Sequence, residues 1–238
     1  MLVRCVWEHN GDDSLVYADG YVGAYTRGAS RQEALSKFQM EMRSYLLWST
    51  GEIIDCQVET EVIEEKASAL NIADADSDVL FENEKRPLTQ DEYRELKRLA
   101  MKSAVDFERL YESIPDKYDS VLPGRKTFYG EVPRTARQMY AHTKGVNSYY
   151  FGEIGVDCGN EGTIVACRKH GFDMLELMPD FLHSRVFDGS YGEQWTLRKV
   201  CRRFVWHDRL HAKAMYRMGC KTFGAERIPD VFYFRGQK

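Results

Sequence analysis

The sequence predicts an α+β fold in two domains, a small βββαβ unit followed by a four-helix bundle. Three observations carry this. Residues 1–65 alternate apolar and polar side chains in short runs around a single helical stretch. Residues 89–238 instead hold four stretches of helical periodicity, each with one apolar stripe. Between them, residues 66–88 are acidic (Asp74, Asp76, Asp78, Glu82, Glu84) and end at Pro87, which reads as a linker.

In the first domain, Leu2–Glu8 alternates and is rich in valine and tryptophan, the pattern of a half-buried strand. Asn10-Gly11-Asp12-Asp13 supplies hairpin chemistry, and Ser14–Ala18 and Gly23–Thr26 read as two further strands. Ser30-Arg-Gln-Glu33 is a capping box. It opens one helix whose apolar face is Ala34, Leu35, Phe38, Met42, Tyr45 and Leu46, and which Gly51 stops. Cys56–Ile63 alternates again as a last strand. Glu33 reads as a cap and Glu41 as a solvated helix position, so this domain presents no catalytic constellation. The βββαβ order, with Ala24-Tyr-Thr-Arg-Gly-Ala-Ser-Arg-Gln-Glu-Ala-Leu35, resembles the small HicB-like antitoxin fold.

In the second domain, Thr89-Gln-Asp-Glu92 is another capping box. The helix it starts runs to about Pro115, with its stripe on Tyr93, Leu96, Leu99, Ala100, Phe107, Leu110 and Tyr111. After a loop through Pro123-Gly124, a second helix is predicted from Pro133, placed in its first turn, to Phe151. Met139, His142, Val146 and Tyr149 share its apolar stripe. A third helix spans about 162–178, ended by Met178-Pro179. The loop 179–196 is long enough to suggest a cover over the bundle mouth.

The last helix carries the most informative pattern. Its stripe runs Val200, Phe204, His207, His211, Ala214, Met215 and Met218, so two histidines stand on an otherwise apolar face. Imidazoles at i and i+4 have Cβ atoms roughly 5–6 Å apart, close enough to share one cation. Two core histidines bonded to separate carbonyls or carboxylates would give the same pattern. His142, inward-facing on another helix, makes a set of three with room for a fourth, non-protein ligand.

These residues resemble the DinB-like superfamily of four-helix-bundle metalloproteins, over about residues 88–224. The matching pieces are Thr135-Ala-Arg-Gln-Met-Tyr-Ala-His142 and Trp206-His-Asp-Arg-Leu-His211. The resemblance implies a divalent metal, zinc or nickel, on His142, His207 and His211. It also implies metal-dependent hydrolysis, or transfer of a low-molecular-weight thiol, with a small molecule or the thiol as partner. A non-catalytic metal- or ligand-sensing protein, with the small domain binding a partner, is the alternative.

Other residues are candidates for the same site. Glu153, on the His142 face, is a candidate for orienting a ligand or acting as general base; His170 is a candidate fourth ligand. A solvated position is the plainer reading of His170 and of His183 in the long loop. Asp208 lies about 100° around the helix from His207 and reads as a salt-bridge partner, while Cys201 is about 120° away, too far to ligate.

Composition narrows the classes. A net charge of −4 gives no electrostatic reason to expect nucleic acid. No apolar run approaches the roughly 18 residues of a membrane span. The N-terminus lacks the basic and apolar regions of a signal peptide, and the 6 cysteines are scattered without a C-x-x-C pair. Reduced thiols in a cytoplasmic protein are therefore expected, with a homodimer as the possible assembly.

Overall fold

The computed structural model describes residues 1–235 and is an α+β structure that divides into two compact units. The first unit comprises Met1–Asn83 and the C-terminal segment from Phe232; the second is Glu84–Val231.

The first unit is built on β1 (Leu2–Asn10), β2 (Asp13–Ala18), β3 (Tyr25–Gly28), α1 (Arg31–Ser36), α2 (Phe38–Thr50) and β4 (Glu59–Ala67). The sheet is mixed, in the order β3-β2-β1-β4. The β1–β2 hairpin closes Asn10 on Asp13, with Gly11 at φ 58°, a conformation that a Cβ would disfavour. β4 returns parallel to β1, with a register shift between Cys5 and Val6. The expected single helix is two. Ser30 caps the Glu33 amide and α1 stops at Ser36, before α2 resumes at Phe38. Phe38, Met42, Tyr45 and Leu46 still share the buried face, and Gly51 ends α2 in a left-handed conformation. Glu41, expected in solvent, is buried; its carboxylate accepts the Tyr25 amide.

The acidic stretch 66–88 does not form an extended linker. Up to Asn83 it belongs to the first unit. Ile72, Val79 and Phe81 are buried, and the Phe81 ring meets Tyr17. Buried Glu8 anchors the stretch: its carboxylate accepts the Ser77 hydroxyl at 2.5 Å and the Asp78 amide at 3.1 Å. The apolar residues scattered among the acids supply this packing, which the charge pattern hid. The expected C-terminal boundary also moves. Trp48 stacks on Phe232, and the Ser44 hydroxyl donates to the Phe232 carbonyl, so the tail completes the first unit.

The second unit contains α3 (Gln90–Ser113), a small hairpin of β5 (Lys126–Thr127) and β6 (Gly130–Glu131), α4 (Ala136–Gly152) and α5 (Ile164–Leu175). A second hairpin, β7 (Phe187–Asp188) and β8 (Gln194–Trp195), leads into α6 (Leu197–Phe223). α3 and α4 each pack on both α5 and α6. Thr89 and Glu92 form the expected capping box of α3. For α4 the cap is Thr135 with Gln138, so Pro133 lies outside the helix and not in its first turn. Its fixed φ instead sets the approach to the cap. The close approach of α5 to α4 depends on Gly171, where a Cβ would collide with the Phe151 ring. Among the described residues, no helix is long and apolar enough to cross a membrane.

Candidate metal centre

α4 and α6 are the elements that carry the three histidines. α6 is held in place by apolar residues at helical spacing (Val200, Phe204, Met215, Met218), all buried. It is also held by polar contacts that the apolar pattern does not announce. Arg168 on α5 and Asp208 on α6 are both fully buried and form a two-pronged ion pair, each contact 3.2 Å long. Ser103 on α3 donates to Asp208 at 2.6 Å, and Arg168 Nε donates to Asn147 on α4 at 2.5 Å. This network ties all four helices together, and it occupies the lone pairs of Asp208. A second buried pair joins Arg202 to Glu84 through Nε and Nη2.

On this scaffold His142, His207 and His211 converge. One nitrogen from each ring lies within 4.8 Å of the others. The Nε2 atoms of His142 and His207 are 3.3 Å apart. Two nitrogens bound to one tetrahedral zinc at about 2.05 Å would stand roughly 3.3 Å apart, so the spacing suits a shared ion. Ring centroids are 5.1 Å apart for His142–His207, 4.6 Å for His142–His211 and 4.4 Å for His207–His211. The residues form a gradient: His207 is buried, His211 half-buried and His142 exposed. The sequence placed all three on inward faces; in the structure the cluster reaches from the interior to the surface. That follows because the buried face of α4 runs through Met139, Tyr140, Thr143, Asn147 and Tyr150, which leaves His142, Val146 and Tyr149 of the expected stripe at its border.

The electrostatics keep the rings neutral. Burial pushes His207 well below the usual imidazole range, and charge on His211, His142, Arg203 or Arg168 would push it further. Burial takes His211 down to about 3, with His142 adding to the effect. His142, although it reaches the surface, is also lowered, by partial desolvation. Neutral imidazoles present the lone pairs that a cation needs. His207 Nδ1 is buried and has no hydrogen-bond partner among the described residues. Ligating histidines usually fix their orientation through that nitrogen. Here packing does so, with the rings of Tyr150 and Trp206 at 6.1 and 6.2 Å from His207.

The other candidates lie elsewhere. Glu153 is buried but accepts the Ser190 amide at 2.7 Å, tying the β7–β8 hairpin to the end of α4. His170 and His183 are exposed and outside the cluster. Asp208 is the ion-pair residue expected. Cys201 is fully buried, and burial pushes its thiol up to about 12. His9, in the first unit, stacks on Trp7 and contacts Glu65.

Sequence reasoning missed Arg203, one turn before His207, whose guanidinium lies 4.7 Å from the Trp206 ring and about as near two others. It also missed buried Lys199, paired with Glu193 at 2.9 Å. Their signal was available as cations at i−4 and i−8 from His207 on the histidine face. Comparison with protein-family models, curated proteins and solved structures finds no match for the chain.

Proposed function

We propose that the second unit is a DinB-like four-helix bundle and that the protein binds one divalent metal through His142, His207 and His211. On this reading it is a metal-dependent hydrolase or a transferase of a low-molecular-weight thiol, acting in the cytoplasm on a small molecule. The observation that carries the reading is the convergence of three neutral imidazoles from two helices within 4.8 Å. The donor set, all imidazole, suits zinc or nickel. No fourth side-chain ligand joins the three among the described residues, and His142 stands at the surface, which leaves room for an exchangeable ligand.

A divalent ion held there supplies Lewis acidity, lowering the pKa of water or a thiol and polarising an electrophile. The chain's own residues position that chemistry. Asp208 and Arg168 fix the rotation of α6, and with it the direction of both its histidines. Glu153 holds the β7–β8 hairpin, whose Trp195 packs on Tyr149 and Tyr150 beside the cluster. The first unit, with its β3-β2-β1-β4 sheet and helices between β3 and β4, suits a HicB-like module that contacts a partner.

One observation favours the sensor alternative. The carboxylates that the sequence offered beside the histidines, Glu153 and Asp208, are both engaged in structural contacts. The metal-loaded protein should therefore be assayed for thiol-dependent transfer and for hydrolysis of ester and amide panels, with His207→Ala as control. Turnover that disappears in the variant supports the enzyme reading. A metal-loaded chain that turns over nothing in either panel leaves the sensor reading in its place.

A further inference from the structure

Arg203 lies one helical turn before His207, as His211 lies one turn after it, so the three side chains line one face of α6. The guanidinium is half-buried among three aromatic rings, 4.7 Å from Trp206, 5.5 Å from Tyr150 and 5.6 Å from Trp195. Tyr150 in turn touches His207, at 6.1 Å between rings, so the cation and the histidine cluster share a wall. The Tyr150 side chain also hydrogen-bonds Arg203, and the neighbouring carboxylate Glu193 is paired to Lys199 at 2.9 Å. The rings surround the guanidinium at cation–π distance, an environment to which arginine is better suited than lysine.

We propose that Arg203 is a specificity-determining residue that selects an anionic substrate, one bearing a carboxylate or phosphate group that the guanidinium receives beside the metal. This rests on the three-histidine metal reading and goes beyond it by naming the substrate's charge. The physical argument is complementarity. A guanidinium presents parallel N–H donors that match the two oxygens of such a group, and aromatic walls exclude the water that would weaken the contact. A divalent ion with three neutral ligands also carries its full positive charge, so both partners favour an anion.

The test uses the full chain loaded with cobalt, whose visible spectrum responds to added ligands. Acetate and inorganic phosphate serve as anionic probes and imidazole as the neutral control. Wild type should bind at least one anion, and which of the two binds more tightly separates carboxylate from phosphate recognition. Arg203→Met should weaken anion binding by roughly tenfold or more while imidazole binding stays within about twofold. Arg203→Lys, which keeps the charge without the fork, should recover part of the loss. Circular dichroism checks the fold of both variants, and the wild-type comparison of anions with imidazole stands without them. The proposal is overturned if wild type binds imidazole but neither anion. It is equally overturned if Arg203→Met leaves anion affinity unchanged, or weakens all three probes alike. A chain that takes up no cobalt removes the metal reading and this inference together; a cobalt-loaded chain indifferent to anions removes this inference alone.

Discussion

At the scale of single residues, the histidines do two opposed things to stability and binding. Shielded from water and neutral, buried His207 and half-buried His211 have pKa values below those of the unfolded chain. As pH falls below about 6.5, the unfolded state takes up protons that the folded state refuses, so folding stability is lost on acidification. The metal-free protein should therefore show a falling denaturation midpoint from pH 7 to pH 5, above the range where carboxylates dominate. His211→Asn should flatten that dependence; an unchanged slope would show that the imidazole is not held neutral in the fold. With metal present, each ring contributes a donor. Replacing His207 or His211 by Ala should lower affinity by about 100-fold or more, since even residues that only orient ligands are worth 10–100-fold. Equal affinity and stoichiometry in both variants, measured by competition with a chelator, would remove the assignment.

At the scale of elements, the apolar stripes made the helices legible and the buried charges did not. α3 and α6 were readable because Thr89 with Glu92 marks the start of one and a continuous stripe through Val200, Phe204 and Met215 runs along the other. His142, His207 and His211 were found by the same periodicity, with no knowledge that α4 and α6 touch. Arg168 and Arg202 sit at buried positions that a hydrophobic pattern reads as exposed, because each pairs with a carboxylate far away in sequence, whereas buried Lys199 pairs with Glu193 just before its own helix. Charge pairing across helices has no local signature. Lys37, likewise, interrupts one periodic stripe that alone would predict a single helix. Asp208→Ala tests the weight of these hidden pairs. It leaves the Arg168 guanidinium buried without its carboxylate and should cost about 3–5 kcal/mol, measured by chemical denaturation of metal-free protein. A loss under 1 kcal/mol would mean that Asn147 and the Ala100 carbonyl suffice to hold Arg168.

At the scale of the whole molecule, the boundary of the helical unit is set by an ion pair and not by composition. The charge pattern suggested a fragment starting at Thr89, but Glu84 receives buried Arg202, and the Leu88 amide donates to the Leu182 carbonyl. A fragment 84–231 should fold and bind metal, whereas one beginning at residue 89 should be less stable by about 3–5 kcal/mol through the unpaired Arg202. Equal stability of the two fragments would show that Glu84 is dispensable. The central claim, that the three imidazoles form one divalent-metal site, is tested most directly by metal titration. The full chain, prepared without a polyhistidine tag and stripped by chelator, is titrated with zinc against a chromophoric competitor. The account predicts one tightly bound ion per chain, and its loss in His142→Ala and His207→Ala alike. Stripped wild-type protein that takes up no zinc in competition, or binds it equally well without these histidines, would contradict it.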